Sequence, residues 1–118
     1  MKNEATGIRR IISAFRFSIQ GLKSCYQSET AFKQEVWAAI LLVPLSFWVT
    51  TVSIERVLLI LPIFIVLIIE LINTAVESLV DRVGNEYHEL SGKAKDLGSA
   101  AVWLSLLLVI LTWSIILL

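Results

Sequence analysis

The sequence predicts an all-α membrane protein, with three transmembrane helices preceded by an N-terminal amphipathic surface helix, in a single domain over residues 1–118. Three observations carry this. Hydrophobic residues make up 57% of the chain, well above the share of a soluble fold. Apolar runs over about 36–52, 57–80 and 99–118 have the length and composition to cross a hydrocarbon core about 30 Å thick. The segment before them is apolar only at helical spacing. Acidic and basic residues number 10 each, so net charge points to no nucleic-acid partner, and the distribution of charge along the chain is what informs.

The surface helix, about 6–27, places Ile8, Ile11, Ile12, Phe15, Ile19 and Leu22 on the i, i+3, i+4, i+7 template, with Arg9, Arg10, Arg16 and Lys23 on other faces. A basic amphipathic helix ahead of a span is expected to lie in the headgroup plane. Gly21 is expected to loosen its end, and Ser28 to cap a second helix starting at Glu29 and running into the first span. Pro44 inside that span is tolerable where neighbours satisfy the freed carbonyl. A polar turn over 50–56 leads to the second span, which contains Pro62, and the third span carries no charge. Trp37 and Trp48 bracket the first span, and Trp103 and Trp113 the third, as an aromatic belt.

No apolar core with a cleavage site follows the N-terminus, so the first span is expected to act as its own insertion signal. Lys and Arg set the orientation. Lys2, Arg9, Arg10, Arg16, Lys23 and Lys33 precede the first span, Arg82, Lys93 and Lys95 lie between the second and third, and only Arg56 lies between the first and second. The N-terminus and the second loop are therefore expected in the cytoplasm and the C-terminus outside. The lone Cys25 reads as an inert filler in a reducing compartment.

The second span is unusual in carrying Glu70, Asn73, Glu77 and Asp81 on one stripe. A charge near the bilayer centre costs about 2.5 kcal/mol or more on insertion scales, so its retention asks for a function. Lys93 and Lys95 flank Asp96 just beyond, and acids facing lysines at a membrane surface fit a metal and phosphate site. Surface carboxylates share magnesium with phosphate oxygens. Glu70, about 10 Å deeper than Glu77, would meet a lipid hydroxyl and is the candidate base. Carboxylates for metal, a lysine for phosphate and a base for the acceptor form a kit for phosphoryl transfer. Two other readings stay open here: polar residues that only hold helices together, and an ion or proton pathway. Taken alone, Glu29 and Glu35 read as solvated surface charges. There is no Walker A motif and no protein-kinase signature, and the lone His88 has no partner at zinc spacing.

The run ELINTAVESLVD from Glu70 to Asp81, followed by EYHELSGKAKDLGSAAV from Glu86 to Val102, resembles the two signature blocks of the small prokaryotic integral-membrane diacylglycerol kinases. The resemblance implies a homotrimeric helical bundle in the bacterial inner membrane that uses magnesium and ATP to phosphorylate diacylglycerol to phosphatidate. It implies Glu70 as base and Glu29 with Glu77 as metal ligands. It also implies nucleotide contacts at Arg10, Glu86, Tyr87, His88, Lys95 and Asp96, with Asn73 and Asp81 in support. Arg10, Glu35, Ser99 and Trp113 match positions near the lipid. Phe17 stands where relatives carry a tyrosine, so it can only stack on a nucleotide, and Lys33 replaces an arginine. An oligomer also makes physical sense, because three spans and a surface helix cannot enclose both a nucleotide and a lipid. The rival inside the family is undecaprenol kinase, with the same stripe. The rival outside it is a small ion or drug transporter, which would not need cations beside the acids.

Overall fold

In the computed structural model, residues 6–84 and 88–118 are described, and their regular structure is helical. Helix α1 spans Ile8–Ser28, α2 Thr30–Val49, α3 Ser53–Val83 and α4 Glu89–Leu117. Helices α2, α3 and α4 are each long and apolar enough to cross a membrane. The expected class, three spans behind an amphipathic helix, is therefore the observed one.

Helix α3 is central, packing on α4 and α2 along its length and touching α1 near its polar end. Its 31 residues extend about 46 Å at 1.5 Å per residue, so it overruns a hydrocarbon core of about 30 Å. The core is small: Cys25, Phe32, Ala39, Leu59, Ile63 and Val66 are buried, while most large apolar side chains face outward. That inversion suits a chain whose solvent is lipid. Pro44 and Pro62 sit inside α2 and α3 without ending them.

Four boundaries differ from expectation. Helix α1 continues through Gly21 and Ser28, so Gly21 ends nothing and Ser28 caps nothing. The break falls at Glu29, whose extended backbone (φ −116°, ψ 110°) both closes α1 and opens α2. Its N–H donates to the Cys25 carbonyl at 2.9 Å and its carbonyl accepts from the Lys33 N–H at 3.1 Å, so the junction keeps its backbone bonds.

The turn after α2 is short, because Glu55 and Arg56 belong to the first turn of α3. Thr50 organises it: its hydroxyl donates to Glu55 at 2.6 Å and accepts from the Val52 N–H at 3.1 Å, while Arg56 donates to the Thr50 carbonyl at 2.7 Å. An acid in a first helical turn also sits well against the helix dipole. Finally, α4 begins ten residues before the expected span, at Glu89, because His88 caps it: Nδ1 accepts from the Leu90 N–H at 3.1 Å. The polar ELSGKAKD stretch is thus the first turns of a helix.

Two tryptophans expected in the belt also tie helices together. The Trp37 indole donates to the Tyr26 hydroxyl at 2.9 Å, joining α2 to α1, and the Trp113 indole donates to the Leu59 carbonyl at 3.0 Å, joining α4 to α3.

Candidate active site

The packing seam of α3 builds the site. Leu59, Ile63, Val66 and Glu70 recur at alternating steps of four and three, and all four are buried. Asn73 and Glu77 continue the same steps, half-buried, and Asp81 emerges at the end, exposed. This is the spacing with which one helix meets another. The seam changes from apolar to acidic at Glu70 without changing period, so helix packing itself delivers the acidic stripe to the inter-helix face.

Glu70 is only 5% exposed. Its carboxyl lies against that of Glu35 on α2, and the charges of Glu29 and Glu77 act on it. Glu35 Oε1 is itself buried without a partner. Deeper on the same face, an apolar cavity of about 80 Å³ is lined by Ala39, Leu42, Ile63, Val66 and Leu106, with Glu35 at its wall. Glu29 sits half-buried at the α1–α2 junction, and its side chain makes no capping bond, which leaves the carboxylate available.

Toward the polar end, the Asn73 amide Nδ2 donates to Glu77 Oε2 at 3.5 Å, while Asn73 Oδ1 is buried without a hydrogen-bond partner. One turn further, Lys95 Nζ of α4 pairs with Asp81 at 2.8 Å; the two side chains are 45% and 65% exposed. The pair is solvent-screened and contributes little to stability. It does hold an ammonium group beside the end of the stripe.

Helix α1 reaches α3 through Cys25, whose thiol donates to the Thr74 hydroxyl at 3.6 Å. Burial pushes this thiol's pKa up, as do the nearby glutamates, and a protonated thiol is a poor nucleophile. Together with the Trp37–Tyr26 bond, the Cys25–Thr74 contact ties the surface helix to the spans.

Other predicted positions are not brought to Glu70 within one chain. Arg10 lies on the exposed start of α1, about 22 Å along the helix from Cys25, and Phe17 lies between them, also exposed. Asp96 and Ser99 are exposed on α4. Trp113 meets α3 at Leu59, about 16 Å along that helix from Glu70. Lys33 stacks over the Tyr26 ring at 5.3 Å. Glu86 and Tyr87 lie outside the described residues. Among the described residues no three acids, histidines or cysteines converge into a metal cage. A hard cation shared with substrate phosphates needs only one or two carboxylates.

Sequence reasoning missed Thr74, His88 as a cap, and Gly98. Each carried a signal: Thr74 is four residues from Glu70, His88 directly precedes Glu89, an acid suited to a first helical turn, and Gly98 lies on the Lys95, Val102, Ser105, Val109 stripe of α4.

Fold and site together define a class: a polytopic helical membrane protein whose central seam carries a buried carboxylate, Glu70, and ends in an exposed one, Asp81, paired with a cation. Comparison with known proteins narrows the class. The family profile described as prokaryotic diacylglycerol kinase matches residues 16–117. The chain is 47% identical over 117 residues to the diacylglycerol kinase of Escherichia coli K12, covering 99% of this chain and 96% of that one. It is 46% identical over 110 residues to the diacylglycerol kinase of Haemophilus influenzae, covering 93% of each, and 42% identical over 113 residues to that of Pseudomonas aeruginosa, covering 96% and 92%. The chain belongs to the prokaryotic diacylglycerol kinase family.

Proposed function

We propose that this protein is a diacylglycerol kinase that transfers the terminal phosphate of ATP to the free hydroxyl of diacylglycerol, forming phosphatidate at the cytoplasmic face of the bacterial inner membrane. The observation that carries the reading is a buried glutamate, Glu70, at the point where the α3 seam turns acidic and leads up to a surface ammonium group. The family supports the substrate pair, since its relatives are named for diacylglycerol phosphorylation.

Glu70 faces the apolar depth of the bundle, where a lipid hydroxyl arrives, and takes up the hydroxyl proton as the oxygen attacks phosphorus. Glu35, against it, confines that hydroxyl from the α2 side. Lys95 meets phosphate oxygens, and Asp81 holds its ammonium group in place. The site fits magnesium: the free carboxylate of Glu29 and that of Glu77 are hard oxygen donors, and a magnesium ion shared with substrate phosphates needs only one or two such groups. When bound, the ion offsets charge on the transferring phosphoryl group.

Arg10, Phe17 and Asp96 line the nucleotide, together with Glu86, Tyr87 and His88, and Arg10, Ser99 and Trp113 attend the lipid. The distance of Arg10 from Glu70 along one chain supports a site completed between copies, in a homotrimer whose surface helices serve their neighbours. The cytoplasmic N-terminus rests on the Lys and Arg bias of its flank.

Glu70→Gln tests the reading. It is isosteric, so the protein should assemble and bind ATP as before while phosphate transfer disappears. Wild-type turnover by this variant would remove Glu70 from the role of base.

A further inference from the structure

The seam where α4 crosses the acidic stripe contains one residue without a side chain, Gly98, directly opposite Asn73. A Cβ built at Gly98 collides with Asn73 Oδ1, lies 3.1 Å from Asn73 Cγ, and stands at an ordinary 3.9 Å from Asn73 Cβ. Thus it is the amide head of Asn73, and not its backbone or Cβ, that occupies the space a side chain at 98 would take.

The orientation of that amide follows from its neighbours. The Glu77 carboxylate accepts and cannot donate, so the NH₂ of Asn73 must point to it, as the 3.5 Å contact has it. The carbonyl oxygen then has to face α4, where it is buried and unpaired. Gly98 is the position that lets it do so. The Trp113 indole ties α4 to α3 further along the same seam through the Leu59 carbonyl at 3.0 Å, so a side chain at 98 is accommodated most easily by displacing the Asn73 amide head, the far end of a flexible side chain.

We infer that Gly98 is a positioning residue for phosphoryl transfer: by presenting no side chain to α3, it seats the Asn73 amide, which in turn orients the Glu77 carboxylate. Glycine in a helix interior has a conformational cost, and here close approach to a polar side chain is what it provides in return. The inference rests on the reading of Glu77 as a metal ligand. Groups that orient a ligand from outside the coordination sphere change metal affinity by about 10–100-fold when lost.

The test uses the full chain in detergent micelles, with Gly98→Ala, Asn73→Ala, the double variant and Glu77→Gln. Two readouts are needed. In thermal melting, Gly98→Ala should lower the midpoint in the wild-type background and cost nothing further in the Asn73→Ala background, where the 3.9 Å approach to Cβ is harmless. An equal drop in both backgrounds would overturn the seat. In binding of Mn²⁺ with a non-hydrolysable ATP analogue, followed by electron paramagnetic resonance, each single variant should weaken the ion about tenfold and the double variant no more than either. Wild-type Mn²⁺ binding by Gly98→Ala, or losses that multiply, would overturn the link to Glu77. Unchanged Mn²⁺ binding by Glu77→Gln would instead overturn the metal assignment, while the melting cycle would still decide the seat.

Discussion

Glu70 and Lys95 show why burial separates two kinds of charged residue in this protein. Glu70 is enclosed by α2 and α3 against Glu35, and no ordinary packing gain explains an acid there. Lys95 and Asp81 meet in solvent, where a pair is screened. Lys95→Ala should therefore leave the melting temperature close to that of the wild type and cost phosphate transfer, with the larger change in KM for ATP. A large loss of stability would mean that the pair is a structural tie. Asn73 stands between these cases, half-buried, with one amide group used and the other orphaned. The stripe that joins these residues was visible in the sequence, because helical spacing depends on number alone. Their unequal burial was not, because it depends on which of the other helices covers each turn.

At the scale of elements, the spans were legible because apolar runs are long and unambiguous, and the helix ends were not. His88 shows the reason: a histidine ring nitrogen accepting from a backbone N–H starts α4 ten residues before the apolar run does. Glu29 likewise breaks the helix through backbone torsion, with no side-chain cap to announce it. Two element-scale expectations follow. Gly21 lies within α1 with nothing within 4 Å of an added Cβ, so Gly21→Ala should stabilise the helix by about 0.5–1 kcal/mol, seen as a higher melting temperature. Trp113→Phe removes the indole–carbonyl bond between α4 and α3 and should cost about 0.6 kcal/mol, the average for interhelical bonds in membranes, measured by equilibrium unfolding in micelles. Losses several times larger would mean that the indole also fills space the phenyl ring cannot.

For the whole molecule, a central helix longer than the bilayer core carries one packing seam from an apolar depth to a charged surface, and the site proposed for phosphoryl transfer lies where the seam changes character. That placement would let a lipid hydroxyl and a water-soluble nucleotide meet without either leaving its phase. Within a single chain Arg10 lies far along α1 from the Cys25–Thr74 contact near Glu70, and most large apolar side chains face outward. The central claim is phosphate transfer from ATP to diacylglycerol, and a mixed-micelle assay tests it most directly. Purified protein would be given ATP, magnesium, and either diacylglycerol or undecaprenol side by side. Transfer to diacylglycerol well above that to undecaprenol is the predicted result. Preference for undecaprenol would keep the site and contradict the substrate, and transfer to neither by a folded oligomer would contradict the account as a whole.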